Sequence, residues 1–319
     1  MRMSRCPGVR SPLTVMVIAL AAVATASAAQ QAPPDPIVRE NVTVKISDHV
    51  HVIPDNSVGG VPNVGIIAGT RGMLIIDTGL GPRNGQTVRR EAAKLGTPAE
   101  LYVVTTHVHP EHDLGASAFP ASARMIRSQD QIRDIDEFGL QTAKTFASRT
   151  PLMAQLLEGA SFRTADITFD KEHRLDLGGV RVRIMAVGGT HTRGDTAIFV
   201  EDDDVLFAGD VVMPSFPAFA SPYARVSGWL DALDRLEALK PARIVPSHGP
   251  MGDLSMLRAW REYFRTLQAR ARELKAQGRT ADQAAETLQA ELQAKYPGWN
   301  PAQANRVGPA ARAAFAEAP

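Results

Sequence analysis

The chain has 319 residues, 35 basic and 34 acidic side chains, 44% hydrophobic content and one cysteine. This near balance, with no basic stripe, argues against nucleic acid as a partner. Cys6 lies in the first ten residues, so the rest of the chain has neither disulfides nor thiolate metal ligands and depends on an ordinary hydrophobic core.

Arg2, Arg5 and Arg10 precede an apolar stretch over residues 13–24 and the small-residue site Ala26-Ser27-Ala28. Residues 1–29 therefore read as a secretory signal peptide, with an apolar stretch too short to span a bilayer comfortably. The expected mature protein is exported, periplasmic or secreted, with no stable membrane insertion after cleavage. Its formal charge is about −2, since removing three arginines leaves 35 − 3 = 32 basic residues against 34 acidic ones. Residues 30–37, rich in Gln and Pro, read as a flexible leader.

Residues 42–46 and 50–53 alternate apolar and polar side chains like half-buried strands, whereas 64–68 and 73–76 are continuous apolar runs of buried strands. Val88, Ala92 and Leu95 share one helix face, and residues 101–104 form another buried strand. Residues 129–160 read as a helical insertion, a candidate cap. Strand-like runs return at 180–187, 196–200 and 205–208. A helix follows at Trp229, Leu233 and Leu236, then a last short strand at 243–245. From residue 253 the pattern is helical: Leu257, Trp260, Phe264, Leu267, Ala271 and Leu274 recur at spacings of three and four. Gly278 fits a helix end, and Thr280 with Gln283 reads as a capping box opening a helix that Pro297 stops. The expected division is a domain over 38–252 and helices over 253–319 packed on it, with a frayed tail after Asn300. The sequence leaves the oligomeric state open.

Four motifs stand at the ends of apolar runs. They are Thr106-His107-Val108-His109-Pro110-Glu111-His112-Asp113, Gly189-Thr190-His191-Thr192-Arg193-Gly194-Asp195, Gly209-Asp210 and Pro246-Ser247-His248-Gly249. A lone His191 or His248 is more often a hydrogen-bonded or surface histidine, and Asp210 alone an ordinary strand-end acid. Joint occurrence reverses those odds, because five of eight histidines fall in these motifs and strand ends bring side chains to one edge of a sheet. Imidazole and carboxylate ligands suit zinc first, and iron or manganese next. His49, His51 and His173 lie outside such motifs and read as structural or surface residues, and Arg193 as a solvated loop cation or an attractor of an anionic substrate. Phe216, Phe219 and Tyr223, in a Pro-rich loop after Asp210, read either as an apolar pocket wall or as simple packing.

In their order and wording these motifs, with Asp77 after a buried strand, resemble the metallo-β-lactamase superfamily over about residues 40–252. The resemblance implies an α/β fold, an αββα four-layer sandwich with the metals at one edge of the two sheets, here carrying a C-terminal helical extension. It implies His107, His109 and His191 as ligands of a first metal, His112 and His248 of a second, and Asp210 as the bridging, catalytic carboxylate. Asp77 would support the site from behind, with Asp113 and Thr192 beside it. Glu111 stands where the family usually has Asp. It could ligate the second metal with a shifted backbone, stay unligated as a proton acceptor, or yield part of its place to Asp113, and the second site is expected to bind more weakly than the first. The implied activity is hydrolysis by a metal-activated hydroxide, with a small ester, lactone, thioester or amide as substrate. The competing readings are a β-lactam hydrolase, an iron-dependent oxidoreductase similar to persulfide dioxygenases, and a metal-binding protein without turnover.

Overall fold

The computed structural model describes residues 34–319 together with Met1. The signal-peptide reading, apart from Met1, and the first half of the expected leader, residues 30–33, lie outside the described residues. The last leader positions are already ordered, with Pro36 buried and its carbonyl accepting from the Asn84 amide at 2.9 Å.

Twelve strands among the described residues form two sheets. The first comprises β1 (Val44–Lys45), β2 (Val50–Ile53), β3 (Val64–Ala68), β4 (Gly72–Ile76), β5 (Glu100–Val104), β6 (Arg124–Ser128) and β7 (Ile167–Phe169), in that order. It runs antiparallel through β4 and parallel from β4 to β7. The second comprises β8 (Glu172–Asp176), β9 (Arg181–Ala186), β10 (Thr196–Val200), β11 (Val205–Gly209) and β12 (Arg243–Pro246), with β12 joined parallel to β11.

The period of two along each strand splits its side chains between two cores. Leu74 and Ile76 meet Ile198, Val200, Val205 and Phe207 between the sheets. Met73 and Ile75 face outward, where Val88 and Ala92 of α1 (Gly81–Ala93) cover them. Ala197, Phe199, Leu206 and Ala208 face the other way, under the helices that follow β11. This is the αββα sandwich. The sheets approach closely at Gly65, where an added Cβ would stand 2.5 Å from the Phe207 ring. No helix among the described residues is long and apolar enough to cross a membrane.

Residues 129–156 carry α3 (Gln129–Asp134), a π-helical turn at Ile135–Gly139, α4 (Leu140–Ala147) and α5 (Pro151–Leu156). Sequence reasoning missed β6 to β8: Arg124, Arg127 and Arg174 break the apolar runs of β6 and β8, and β7 is only three residues long.

Beyond the sandwich, α6 (Val226–Ala238), α7 (Leu254–Ala276) and α8 (Ala281–Lys295) bury their apolar stripes in one core, and the Thr280–Gln283 capping box is formed. The tail is not frayed. Val307, Ala310, Ala311 and Ala314 of α9 (Val307–Glu317) are buried against α7 and α8, and Pro309 sits in the first turn, where its missing N–H costs nothing. The Glu317 carboxylate accepts from the backbone N–H groups of Val226 and Ser227 at 2.7 and 2.9 Å, capping the start of α6.

Candidate metal centre

The first histidine motif leaves β5 through a bent segment over 106–109, with His109 itself extended before the single turn α2 (Pro110–Asp113). Pro110 occupies the first position of that turn, where its fixed φ starts a helix. His107 and His109 thus project together, and the turn brings Glu111 and His112 to a neighbouring position. His191 lies in the loop between β9 and β10, Asp210 follows β11, and His248 follows β12. Gly209, with φ +61°, turns the chain at the end of β11.

Two groups form. His107, His109, His191 and Asp210 each offer an atom within 4.8 Å of the others, and Glu111, His112 and His248 do the same. In the first group His109 Nδ1 lies 3.0 Å from His107 Nε2 and 3.1 Å from His191 Nε2, and Asp210 Oδ2 is 3.5 Å from His191 Nε2. Ligand atoms around a tetrahedral zinc with bonds of about 2.05 Å stand ~3.3 Å apart, so this group has the size such an ion needs. The second group is wider. Asp210 Oδ1 is 3.9 Å from His112 Nε2 and 3.8 Å from His248 Nε2, and Glu111 Oε1 is 4.0 Å from His112 Nε2.

Burial tests the fit independently. His112 Nε2, Asp210 Oδ1 and Glu111 Oε2 are all buried without a hydrogen-bond partner, which is costly unless a cation takes them. The opposite edge of each ring except His109 is occupied. His191 Nδ1 faces the Ala218 carbonyl at 2.7 Å, His248 Nδ1 the Val61 carbonyl at 2.9 Å, and His107 Nδ1 the Thr106 hydroxyl at 3.1 Å. Those contacts assign the N–H to Nδ1 and leave Nε2 free to ligate.

Asp77 stands behind the site in a left-handed conformation, φ +62°, uncommon away from glycine. Its carboxylate accepts from the Thr106 N–H at 2.7 Å and the Thr106 hydroxyl at 3.0 Å, and meets His112 Nδ1 at 2.8 Å. Burial opposes charge on His112, but Asp77 prevails and raises its pKa to about 9. For His107 and His109, burial and then the neighbouring imidazoles hold both far below the ordinary histidine value. Burial alone would raise the Asp210 pKa, yet His191, His248 and His112 draw it below the usual carboxylate range.

Asp113 does not stand in for Glu111. It receives the Thr105 hydroxyl at 2.7 Å and a two-pronged contact from buried Arg127, at 2.5 and 2.9 Å. Thr192 also turns away from the centre, giving its N–H and hydroxyl to Asp195 at 2.8 and 2.6 Å. Asp195, which carries the His191 loop, was missed as a functional position, although Thr-x-Thr-x-x-Asp spacing is a turn-stabilising pattern. The expected pocket wall dissolves. Phe216 is fully buried against Tyr263 and Trp299, and Phe219 packs on Trp229 and Phe264, because the helical extension covers the loop's apolar side. Tyr223 stays at the surface, donating to Glu137 at 3.1 Å under the guanidinium of Arg193. Arg193 is itself engaged by Asp134 and Glu137, so it is no free loop cation. The apolar neighbour that does reach the centre is Phe146 of α4, its ring 5.8 Å from His109.

The sequence profile described as the metallo-beta-lactamase superfamily matches residues 58–248. Acyl-coenzyme A thioesterase MBLAC2 of Homo sapiens is 27% identical over 207 residues, spanning 60% of this chain and 74% of that protein. A metallo-beta-lactamase structure from Pontibacter korlensis is similar with a TM-score of 0.53 at 23% identity, covering 70% of this chain and 98% of that one. The sec-alkylsulfatase Pisa1 from Pseudomonas sp. is similar with a TM-score of 0.66 at 16% identity, covering 86% of this chain and 49% of that one. At these identities the two structures speak for the fold alone.

Proposed function

Because the chain belongs to the metallo-β-lactamase superfamily, we propose that it is a metal-dependent hydrolase of a small acyl thioester or related ester, lactone or amide. The observation that carries this reading is the Asp210 carboxylate, with one oxygen toward His191 and the other toward His112 and His248. His107, His109 and His191 would share a first cation with Asp210. Glu111, His112 and His248 would share a second. Zinc suits these donors first, iron or manganese next. Two such cations supply a water made acidic enough to attack near neutral pH and a polarised carbonyl.

The protein supplies position and proton traffic. Rings locked by their far nitrogens hold the cluster without rearrangement, and Phe146 keeps water from one side of His109. Asp210, whose pKa is drawn below the usual carboxylate range, would orient the attacking water and pass its proton on only transiently toward the leaving group. The thioester preference rests on the name of the human relative; the bond type is carried over, and coenzyme A is not. The second group counts against a single-iron oxidoreductase, which needs only the first. Export, proposed from residues 1–29, is checked by the N-terminus of the protein recovered outside the cytoplasm.

The test is metal analysis with a panel of thioester, lactone, phosphodiester and β-lactam substrates. Two metals per chain and the highest kcat/KM on the thioester are expected. Fastest turnover of a β-lactam would overturn the bond class, and two bound metals with no turnover of any would overturn the hydrolase.

Loading the second group should expel a proton. Without metal, the pairing of His112 with Asp77 adds stability that is complete below pH 6.5 and is lost as pH rises through about 9. Cations need the neutral ring, so affinity there should weaken up to about tenfold per pH unit below 9, while His107 and His109 are already neutral. Calorimetric titration in two buffers of different ionisation enthalpy should find about one proton released by His112 with the second metal, and fewer with the first. Equal release in both steps would refute the assignment.

A further inference from the structure

The helical segment from α3 to α4 reaches the first metal group at two separate points. One is Phe146 of α4, whose ring stands 5.8 Å from His109. The other is the loop between β9 and β10 that carries His191. Gly194 of that loop meets α3 backbone to backbone, since an added Cβ there would collide with Gln131. So close an approach requires glycine.

Asp134, at the end of α3, fastens the two together. Its side chain is almost wholly buried; Oδ2 accepts from the Gly194 N–H at 2.7 Å and Oδ1 from Arg193 Nε at 3.1 Å. Three residues on, in the π-helical turn, Glu137 accepts from Nη2 of the same guanidinium at 2.9 Å and from the Tyr223 hydroxyl at 3.1 Å. Tyr223 belongs to the segment after Asp210 that places the Ala218 carbonyl 2.7 Å from His191 Nδ1 and gives the Ala220 N–H to the His191 carbonyl at 3.1 Å. The two acids thus hold both stretches of chain that fix the His191 ring. Burial raises the Asp134 pKa to about 6, against the pull of the Gly194 N–H and the Arg193 charge. A buried ion pair held against that resistance is weak support for a fold, and what it fixes is geometry.

The second metal group has no such tie. His112 is oriented by Asp77 and His248 by the Val61 carbonyl, and among the described residues neither they nor Glu111 hydrogen-bond to residues 129–156.

We propose that Asp134 is a positioning residue that holds the His191 loop in ligating geometry, so that the segment from α3 to α4 sets the affinity of the first metal group and not that of the second. This deepens the metal-dependent reading and rests on it. Groups that orient a ligand from behind act on metal affinity without touching the ion.

The test measures zinc affinity, by competition with a chromophoric chelator, in two backgrounds. His248→Ala removes a donor of the second group and leaves the first; His109→Ala does the reverse. Adding Asp134→Ala should weaken zinc binding about 10- to 100-fold in the His248→Ala protein and by less than about twofold in the His109→Ala protein. Asp134→Asn keeps an acceptor for the Gly194 N–H and should recover part of the loss. Asp130→Ala, which removes a more exposed acid of the same helix paired with Arg133, should change neither affinity. Hydrogen exchange on the metal-free protein gives a second readout. The Gly189 and Ala220 amides, bonded to the Thr192 and His191 carbonyls, should exchange about tenfold faster or more in Asp134→Ala, with the amides of β10 unchanged. A wild type that binds no zinc would overturn the metal reading itself. Equal losses in both backgrounds, or unchanged exchange at those two amides, would overturn the role of Asp134 and leave the metal centre standing.

Discussion

Asp210→Ala should fold and bind at least one metal while losing about 10³-fold or more in kcat/KM, the scale on which removal of preorganised charge stabilisation acts. The loss is large because one side chain serves both groups: Oδ2 belongs with His191, and Oδ1 with His112 and His248. Folding should survive, because Oδ1 has no hydrogen-bond partner and the preceding strand is held by β10 and β12. Alanine at this position removes a buried charge crowded by imidazoles. His109→Ala should behave alike, since its Nδ1 lies between His107 and His191. Steady-state kinetics with metal analysis and circular dichroism on one preparation decide the matter. An Asp210→Ala protein that keeps wild-type turnover would remove the proposed role, whatever its metal content.

The second large effect falls on stability. Asp113→Ala should cost about 3–5 kcal/mol, because it leaves the Arg127 guanidinium buried without its counter-charge. Thr105 and Arg163 offer Arg127 only neutral partners. For a domain of this size such a loss corresponds to a fall in Tm on the order of 10 °C. Replacing both partners, Asp113→Leu with Arg127→Met, should restore most of it, since an apolar pair does not have to be desolvated as ions. Thermal unfolding of the two single variants and the double variant gives the coupling directly. An Asp113→Ala protein as stable as the wild type would show that the pair has no structural weight, and a further fall in the double variant would show that packing at this position outweighs charge.

Legibility followed periodicity. Strands made of unbroken apolar residues, such as 64–68 and 205–208, announce themselves because both of their faces are covered. β6 is equally buried but carries Arg127, whose charge is tolerated only because Asp113, fourteen positions earlier, meets it in space. No local pattern reports such a partner. The same holds for α9, whose alanines read as a loose tail until α7 and α8 are placed beside them. Phe216 and Phe219 were ambiguous for the opposite reason: an aromatic after a site residue fits a pocket or a core equally well, and only the position of the extension decides.

By itself, the sequence determined which residues could gather at one edge of the sheets, because each histidine or acid follows a strand whose direction and burial are written in its apolar run. It also determined the family, because the order of the motifs is specific. Tertiary structure alone decided how the carboxylates divide their work. Asp113, adjacent to the cluster in sequence, is drawn away by Arg127, while Glu111 is left turned toward His112. Electrostatic energy depends on separation in space and on exclusion of water, and neither quantity is a property of a linear chain.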